Sequence, residues 1–221
     1  MARFLYLSKK KEEKNQMKQV LSPAYLPNVE YCSWLLYQKK VFFSETTTYQ
    51  KQSFRNRAEI YGANGKLKLI IPIKHSYGAR RTLEKKTLIS YEQNWQIQHW
   101  KSLCYSYRSS PYFEFYEDEF KPLYLEKKIE YLLDFNQQIN LVLLRCLNMD
   151  TEVIFSDSYI EKGGKVNDFR DIIHPSLVPT ETVKKMKYSQ VFQESQDFIY
   201  NLSIFDLLFN QGPLAKQFLD S

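Results

Sequence analysis

The sequence predicts a mixed α/β (α+β) domain with a sheet core and a β-hairpin, flanked by helices and with a helical C-terminal half. β-prone runs dominate the first 90 residues, whereas helical periodicity dominates after position 94. The dipeptide Asn64-Gly65 lies between two of the β-prone runs, which is typical of a hairpin. A chain of 221 residues buries enough surface to fold as one such domain.

Short β-prone runs bounded by turn residues predict the strands. The predicted strands are residues 19–22, 40–45, 57–61, 66–73, 82–90 and 152–155. The pair on either side of Asn64-Gly65 forms the hairpin, because both residues of this dipeptide tolerate positive φ. The remaining strands build the core of the sheet.

Capping residues mark the predicted helices. These helices cover residues 29–38, 95–108 and 120–148, and a helix from residue 204 to about 211 is followed by a short final helix. Asn28 and Asn94 cap the first two. Ser203 caps the helix near the C-terminus, with Asp206 in a capping-box position, and Gly212 ends it.

Two further features of the second half call for an explanation. Asn136 and Asn140 interrupt the apolar stripe of the helix over 120–148, and buried amides need hydrogen-bond partners. Residues 162–188 show little periodicity. An irregular segment of this length is typical of a lid or a binding loop.

The net charge of +6 is concentrated at the N-terminus. Residues 1–20 carry six basic and two acidic side chains, and the other 201 residues carry 25 basic and 23 acidic ones. We therefore predict a basic tail over residues 1–18 and a single domain over residues 19–221. Because that domain is nearly balanced in charge, its composition does not indicate a nucleic-acid partner.

No segment predicts a secretion signal or a membrane span, since the longest apolar run covers residues 141–144. The three cysteines form no CxxC pair, which favours reduced thiols in a cytoplasmic protein. The three histidines are far apart, so their spacing predicts no metal site. No motif indicates a cofactor, and nothing in the sequence determines the oligomeric state.

A basic and amide-rich segment is the first candidate site. Residues 49–57 include Lys51, Arg55, Asn56 and Arg57, which could hold a phosphate or carboxylate. The alternative is a loop of solvated cations.

His99 is the candidate catalytic residue, because the pKa of a histidine suits acid–base chemistry at neutral pH. Trp95 lies one helical turn before it. The alternative is a structural histidine that only donates or accepts hydrogen bonds.

Aromatic residues crowd the segment over residues 107–116. There Tyr107 could stack on a base or a sugar, and Ser110 could contact its polar groups. The alternative is that these rings pack in the core.

Several segments together resemble the WbqC-like protein family. They are residues 22–27 with Tyr31, 49–51, 55–57, 69–73, 94–100, 107–113, 188–192 and 201–209. The resemblance extends over residues 19–219. Ala24 and Leu26 depart from the opening Pro-x-Tyr-Phe-Pro pattern. Many members carry a histidine or aromatic residue at the position of Ala24 and a phenylalanine at the position of Leu26.

The resemblance implies a role in surface-polysaccharide biosynthesis, including O-antigen. It also implies an acyl or aminoacyl (glycyl) transferase that acts on an amino sugar or nucleotide-linked sugar. His99 would then be the general base, the cationic segment would bind a small anionic or sugar substrate, and Tyr25 would join Trp95 and Tyr107 in stacking on it. The alternative is a non-catalytic ligand-binding or assembly protein of the same pathway.

Overall fold

The computed structural model describes residues 17–74, 82–158, 160, 166–170, 174, 175, 177–194 and 196–220. The strands are β1 (Lys18–Leu21), β2 (Lys40–Ser44), β3 (Arg57–Gly62), β4 (Gly65–Ile70), β5 (Glu152–Ser156) and β6 (Val166–Asp168). The helices are α1 (Val29–Leu36), α2 (Trp95–Tyr107), α3 (Phe113–Leu125), α4 (Leu132–Cys146), α5 (Glu181–Lys185), α6 (Ile204–Gln211) and α7 (Ala215–Leu219), with 3₁₀ turns at Glu84–Lys86 and Gly212–Leu214. The predicted mixed α/β class and the helical C-terminal half are confirmed.

Four parallel strands form the central sheet, in the order β5-β2-β1-β6. The chain moves outward from β1 through β2 to β5, and then returns to place β6 on the other side of β1. The direction of winding therefore reverses between β1 and β6. In sheets of this kind, ligands bind beyond the carboxyl ends of the strands at such a reversal.

The predicted hairpin forms a separate antiparallel sheet of β3 and β4. Gly62 pairs with Gly65 across a two-residue loop, and Gly65 has a φ of 99°. Glycine adopts this left-handed backbone without the steric cost that a Cβ would add. The local sequence therefore determines this turn.

Residues 82–90 do not form the predicted strand. Glu84–Lys86 is a 3₁₀ turn, and the flanking residues make isolated bridges to Thr48, Ile73 and Tyr131. The backbone of this segment is thus shared among three neighbours, so no continuous ladder forms.

The predicted helix over residues 120–148 is two helices, α3 and α4. Between them, Ile129 O accepts from the Tyr91 hydroxyl at 2.6 Å and Leu132 N donates to Thr87 O at 2.9 Å. The connecting backbone is therefore satisfied by residues 87–91 instead of by a continuous helix, which the apolar periodicity could not reveal.

Residues 107–116 are also more helical than predicted, since α3 already begins at Phe113. The Tyr107 and Phe113 rings lie 5.4 and 5.2 Å from the Phe209 ring of α6. These aromatic rings therefore pack in the core between helices.

The predicted caps are confirmed in part. Asn28 accepts a hydrogen bond from Tyr31 N at 2.9 Å, but Asn94 stands at the start of α2 without a capping bond. Ser203 accepts from Phe205 N at 3.3 Å. The expected capping box with Asp206 is absent. Ser203 N donates instead to the backbone carbonyl of Glu59 in β3, at 2.7 Å, so it is not available to the carboxylate of Asp206.

Asn136 and Asn140 have the partners that their burial requires. Asn136 Nδ2 donates to Arg55 O at 2.7 Å, and Asn140 Nδ2 donates to Ala24 O at the same distance. The two amides attach α4 to the loop after β1 and to residue 55. They therefore position the segment that the sequence identifies as a candidate site.

Two predicted regions lie partly outside the described residues. They are the basic tail, up to residue 16, and much of the irregular segment over 162–188. The described part of that last segment contains β6 and α5. Lys18, at the end of the predicted tail, is the first residue of β1.

Candidate functional site

A buried ionic cluster lies at the carboxyl edge of the sheet, where the winding reverses between β1 and β6. Ser22 directly follows β1, and Arg170 follows β6 by two residues. Arg55 Nη2 donates to Ser22 Oγ at 3.0 Å and to Arg170 O at 3.2 Å. Arg55 therefore joins the ends of two neighbouring strands, and we call this group the switch-point cluster.

Arg55 forms a buried ion pair with Glu84, through its Nε and the Oε1 of the carboxylate. Only 4% of Arg55 is exposed, and Glu84 is equally buried. Burial raises the pKa of Glu84, and the charge of Arg55 and hydrogen bonds from Arg55 and Ser22 oppose that rise. Since Nη1 of Arg55 also donates to Gln50 Oε1 at 3.2 Å, the guanidinium is held on several sides.

Arg170 makes the second ion pair of the switch-point cluster. Its Nε and Nη2 donate to the two oxygens of Asp168 at 2.8 and 2.7 Å, which is a bidentate pair. Nη2 also donates to Ile160 O at 3.1 Å. The side chain is thus held at several atoms, and the backbone carbonyl of Arg170 accepts from Arg55.

The segments that cover this edge carry excess positive charge. Residues 46–57 and 82–88 together contain five basic side chains and one acidic side chain. They are paired by backbone bonds from Tyr49 N to Thr82 O and from Glu84 N to Thr47 O, both of 2.8 Å. An anion therefore finds a favourable potential here.

Arg57 adds a donor without a partner. Its Nε is buried and makes no hydrogen bond within the described residues. Burial raises the pKa of Tyr49 to about 12, and the nearby positive charge of Arg57 opposes that rise. Asn56 donates to Ile71 O at 3.0 Å, but its Oδ1 is also buried and without a partner in the described chain. Lys51 is exposed beside them.

His99 lies in a second, aromatic cluster. Its Nδ1 is 2.8 Å from the Tyr25 hydroxyl, which is 3.0 Å from the Tyr124 hydroxyl. The Trp95 ring packs edge-on at 5.1 Å, and the imidazole also hydrogen-bonds to the backbone of Ile70. Only 6% of His99 is exposed. The side chain is therefore a neutral hydrogen-bonding group whose Nδ1 is already occupied by the Tyr25 hydroxyl.

Burial lowers the pKa of His99 from 6.5 to about 4, and it raises the pKa of Asp206 from 3.8 to about 6. As the pH falls from about 6.5 to 4, His99 binds a proton in the unfolded chain but stays neutral in the folded one. The free energy of unfolding therefore falls by about 3 kcal/mol. Folded Asp206 gains its proton first, which raises the same free energy by about 3 kcal/mol as the pH falls from about 6 to 4.

We expect these two contributions nearly to cancel in the wild type. His99→Gln should become more stable towards pH 4 relative to its value at pH 7, and Asp206→Asn should become less stable. Urea denaturation at pH 4, 5, 6 and 7 measures both slopes. If the stability of both variants changed with pH in the same direction, the opposite pKa shifts of His99 and Asp206 would be contradicted.

The other predicted site residues fall into two places. Tyr25 and Trp95 belong to the His99 cluster, and the Tyr25 N donates to Phe54 O at 2.8 Å, next to Arg55. Tyr107 and Ser110 lie at the end of α2. There Tyr107 OH accepts from Tyr61 N at 3.1 Å and Ser110 Oγ donates to Tyr107 O at 2.5 Å. Among the described residues, no hydrogen bond joins Tyr107, Ser110 or the His99 ring to the switch-point cluster.

Sequence reasoning missed Glu84, Asp168 and Arg170 as members of the cluster. Glu84 lay inside a predicted strand, and the other two lay in the irregular segment. One signal could have pointed to Arg170: charged residues just after a strand of a parallel sheet reach its carboxyl edge.

Within the described residues, no group of three or more His, Cys, Asp or Glu is arranged to hold a metal ion. The three cysteines are free thiols, and burial raises the pKa of Cys32. None of the described helices is long and apolar enough to cross a bilayer.

Fold and site together define an α/β protein with buried ion pairs at the switch point of a parallel sheet. The chain matches the model of the WbqC-like protein family over residues 22–175, which is more than half of its length. It belongs to that family, as the resemblance predicted. No curated protein and no solved structure matches it.

Proposed function

We propose that the carboxyl edge of the sheet binds the anionic part of a small ligand. We further propose that the protein is a cytoplasmic acyl or aminoacyl (glycyl) transferase acting on an amino sugar or nucleotide-linked sugar in surface-polysaccharide (O-antigen) biosynthesis. The observation that carries the binding proposal is the unused, buried Nε of Arg57 in a covering segment free of acidic residues. Family membership supports the choice of pathway.

In this proposal, Arg57, Arg55 and Lys51 attract and hold a phosphate or carboxylate. The free Oδ1 of Asn56 orients the ligand by accepting from one of its hydroxyl or amine donors. The transfer joins the amine nitrogen of the sugar to the activated carbonyl carbon. The bond to the leaving group then breaks, and that group departs with the electron pair. The proton lost by the nitrogen passes to a general base, for which His99 is the candidate because its low pKa keeps it neutral at physiological pH.

One observation favours a second candidate, a non-catalytic ligand-binding or assembly protein of the same pathway. His99 is buried, its Nδ1 already has the Tyr25 hydroxyl as a partner, and the imidazole also contacts the backbone of Ile70. A base in this state reaches a substrate only if the Tyr25 hydroxyl gives way. The binding half of the proposal does not depend on His99.

Pyrophosphate and nucleotide-linked amino sugars should bind to the purified protein and raise its melting temperature. Arg57→Gln should weaken this binding about tenfold, because it removes the charge and the guanidinium donors of the anion site. Isothermal titration measures the dissociation constant. Arg145→Gln, a change at an exposed arginine of α4, is the matched control and should leave it unchanged. Equal affinities for wild type and Arg57→Gln would contradict the anion site.

Turnover separates the two candidate functions. The wild type is incubated with a nucleotide-linked amino sugar and an activated acyl or glycyl donor, and the product is identified by its mass. If His99 is the base, His99→Gln should lose about a hundredfold or more in rate while its affinity for pyrophosphate stays the same. Ligand binding without product formation by the wild type would support the non-catalytic candidate.

A further inference from the structure

A groove of about 580 Å³ opens beside α1. Its described lining comes from α1, from the β3–β4 hairpin, from Tyr200 and Asn201, and from residues 174, 175, 177–180, 182 and 183. This volume lies within the range of small-molecule sites, about 300–1,000 Å³. The groove contains none of the site residues that the sequence predicted.

Aromatic rings supply the apolar part of the groove. The Trp34 ring lies 4.3 Å from the Phe169 ring, and Tyr37 and Tyr200 line the same space. Tyr37 is 62% exposed. Rigid rings in a partly open groove offer flat apolar surfaces, which match the carbon faces of a pyranose ring.

Carboxylates supply the polar part. The oxygens of Glu30 accept from Thr180 N at 3.0 Å and from Asn201 Nδ2 at 3.2 Å. Each carboxylate oxygen has a further acceptor site. Glu59, in the hairpin wall, pairs with Lys66 at 3.1 Å. With two carboxylates and one lysine among its described lining residues, the groove favours ligands rich in donors and disfavours anions.

The groove and the switch-point cluster are neighbours. Phe54 and Phe169 line the groove and also a small cavity of about 10 Å³, whose other walls include Ser22, Arg55 and Arg170. The two aromatic side chains therefore lie between the groove and the switch-point cluster.

We propose that this groove binds an amino sugar, with the ring on Trp34 and its neighbouring aromatic residues and the hydroxyl and amine donors on Glu30 and Glu59. This deepens the proposed function, because it places the acceptor sugar beside the anion site. The groove's own chemistry carries the inference, so its test is separable from the test of the anion site.

The test uses two probes, D-glucosamine and inorganic pyrophosphate. Glucosamine should quench tryptophan fluorescence, since Trp34 lines the groove while Trp95 and Trp100 are buried in the core. Isothermal titration should show tighter binding of glucosamine than of glucose. Trp34→Ala and Glu30→Gln should each weaken glucosamine binding about tenfold and leave pyrophosphate binding unchanged.

Two exposed positions provide matched controls. Tyr105→Ala removes an aromatic ring that is 82% exposed on α2, and Glu92→Gln neutralises an exposed carboxylate. Both should bind glucosamine like the wild type. Circular dichroism and the melting temperature establish that each variant is folded.

Absence of glucosamine binding, or equal binding by wild type, Trp34→Ala and Glu30→Gln, would overturn the groove proposal. Loss of pyrophosphate binding in Arg57→Gln with glucosamine binding intact would support both sites as separate. If Arg57→Gln weakened glucosamine binding and Trp34→Ala did not, the sugar would bind at the carboxyl edge and the groove proposal would be refuted.

Discussion

Arg55→Met is expected to lower the free energy of unfolding by about 3–5 kcal/mol, because it leaves Glu84 as a buried charge without its partner. The guanidinium contacts Glu84, Ser22, Gln50 and the carbonyl of Arg170, and all of these contacts disappear together. Urea denaturation at pH 7 measures the loss. The same variant should bind no pyrophosphate, since its neighbouring strand ends are no longer joined.

Two companions make this prediction specific. Adding Glu84→Gln to Arg55→Met should recover part of the stability, because the unpaired charge is then gone. Lys51→Met, an exposed change in the same segment, should stay within about 0.5 kcal/mol of the wild type. A loss below about 1 kcal/mol in Arg55→Met would show that the ion pair is not a structural link.

Gly212→Ala is expected to cost about 3–5 kcal/mol, since two penalties coincide at this residue. Gly212 ends α6 with a φ of 53° and a ψ of −125°, a conformation that only glycine adopts readily. A Cβ built there meets the Tyr112 ring at 2.4 Å. Tyr112 cannot easily retreat, because its N donates to Phe209 O at 3.0 Å. The melting temperature should fall by roughly 10 °C.

Gly65→Ala separates the two penalties. Gly65 also has a positive φ, of 99°, but the nearest atom to an added Cβ is Gln196 Oε1, at 3.6 Å. We expect only the backbone cost there, about 1–2 kcal/mol. If both alanine variants lost equal stability, the contact with Tyr112 would be shown to contribute nothing.

Features whose causes lie within a few residues were predictable. Asn28 caps α1, Gly65 shapes the hairpin, and Gly212 ends α6, because each acts on its own backbone or on an N–H two or three positions away. The requirement of Asn136 for a partner could also be foreseen. The partner itself, the carbonyl of Arg55, is 81 positions away and could not.

Features that depend on distant segments were missed or altered. Residues 82–90 and the break between α3 and α4 satisfy each other's backbone groups, so neither could be interpreted from its own periodicity. The capping box predicted at Ser203 does not form for the same reason, since the N–H of Ser203 donates to the backbone carbonyl of Glu59 in β3. In each case a long-range hydrogen bond replaced the local one.

For the candidate site, the sequence by itself determined the kind of chemistry: a cationic and amide-rich segment at residues 49–57, a mixed α/β domain and membership of the WbqC-like family. Only the tertiary structure decided which residues meet. It placed Arg55 on Glu84 and Arg170, gave His99 two hydrogen-bond partners in the core, and opened the groove beside Trp34. The physical reason is that residue types set charge and donor capacity locally, whereas the order of the parallel strands brings together residues as far apart as 115 positions.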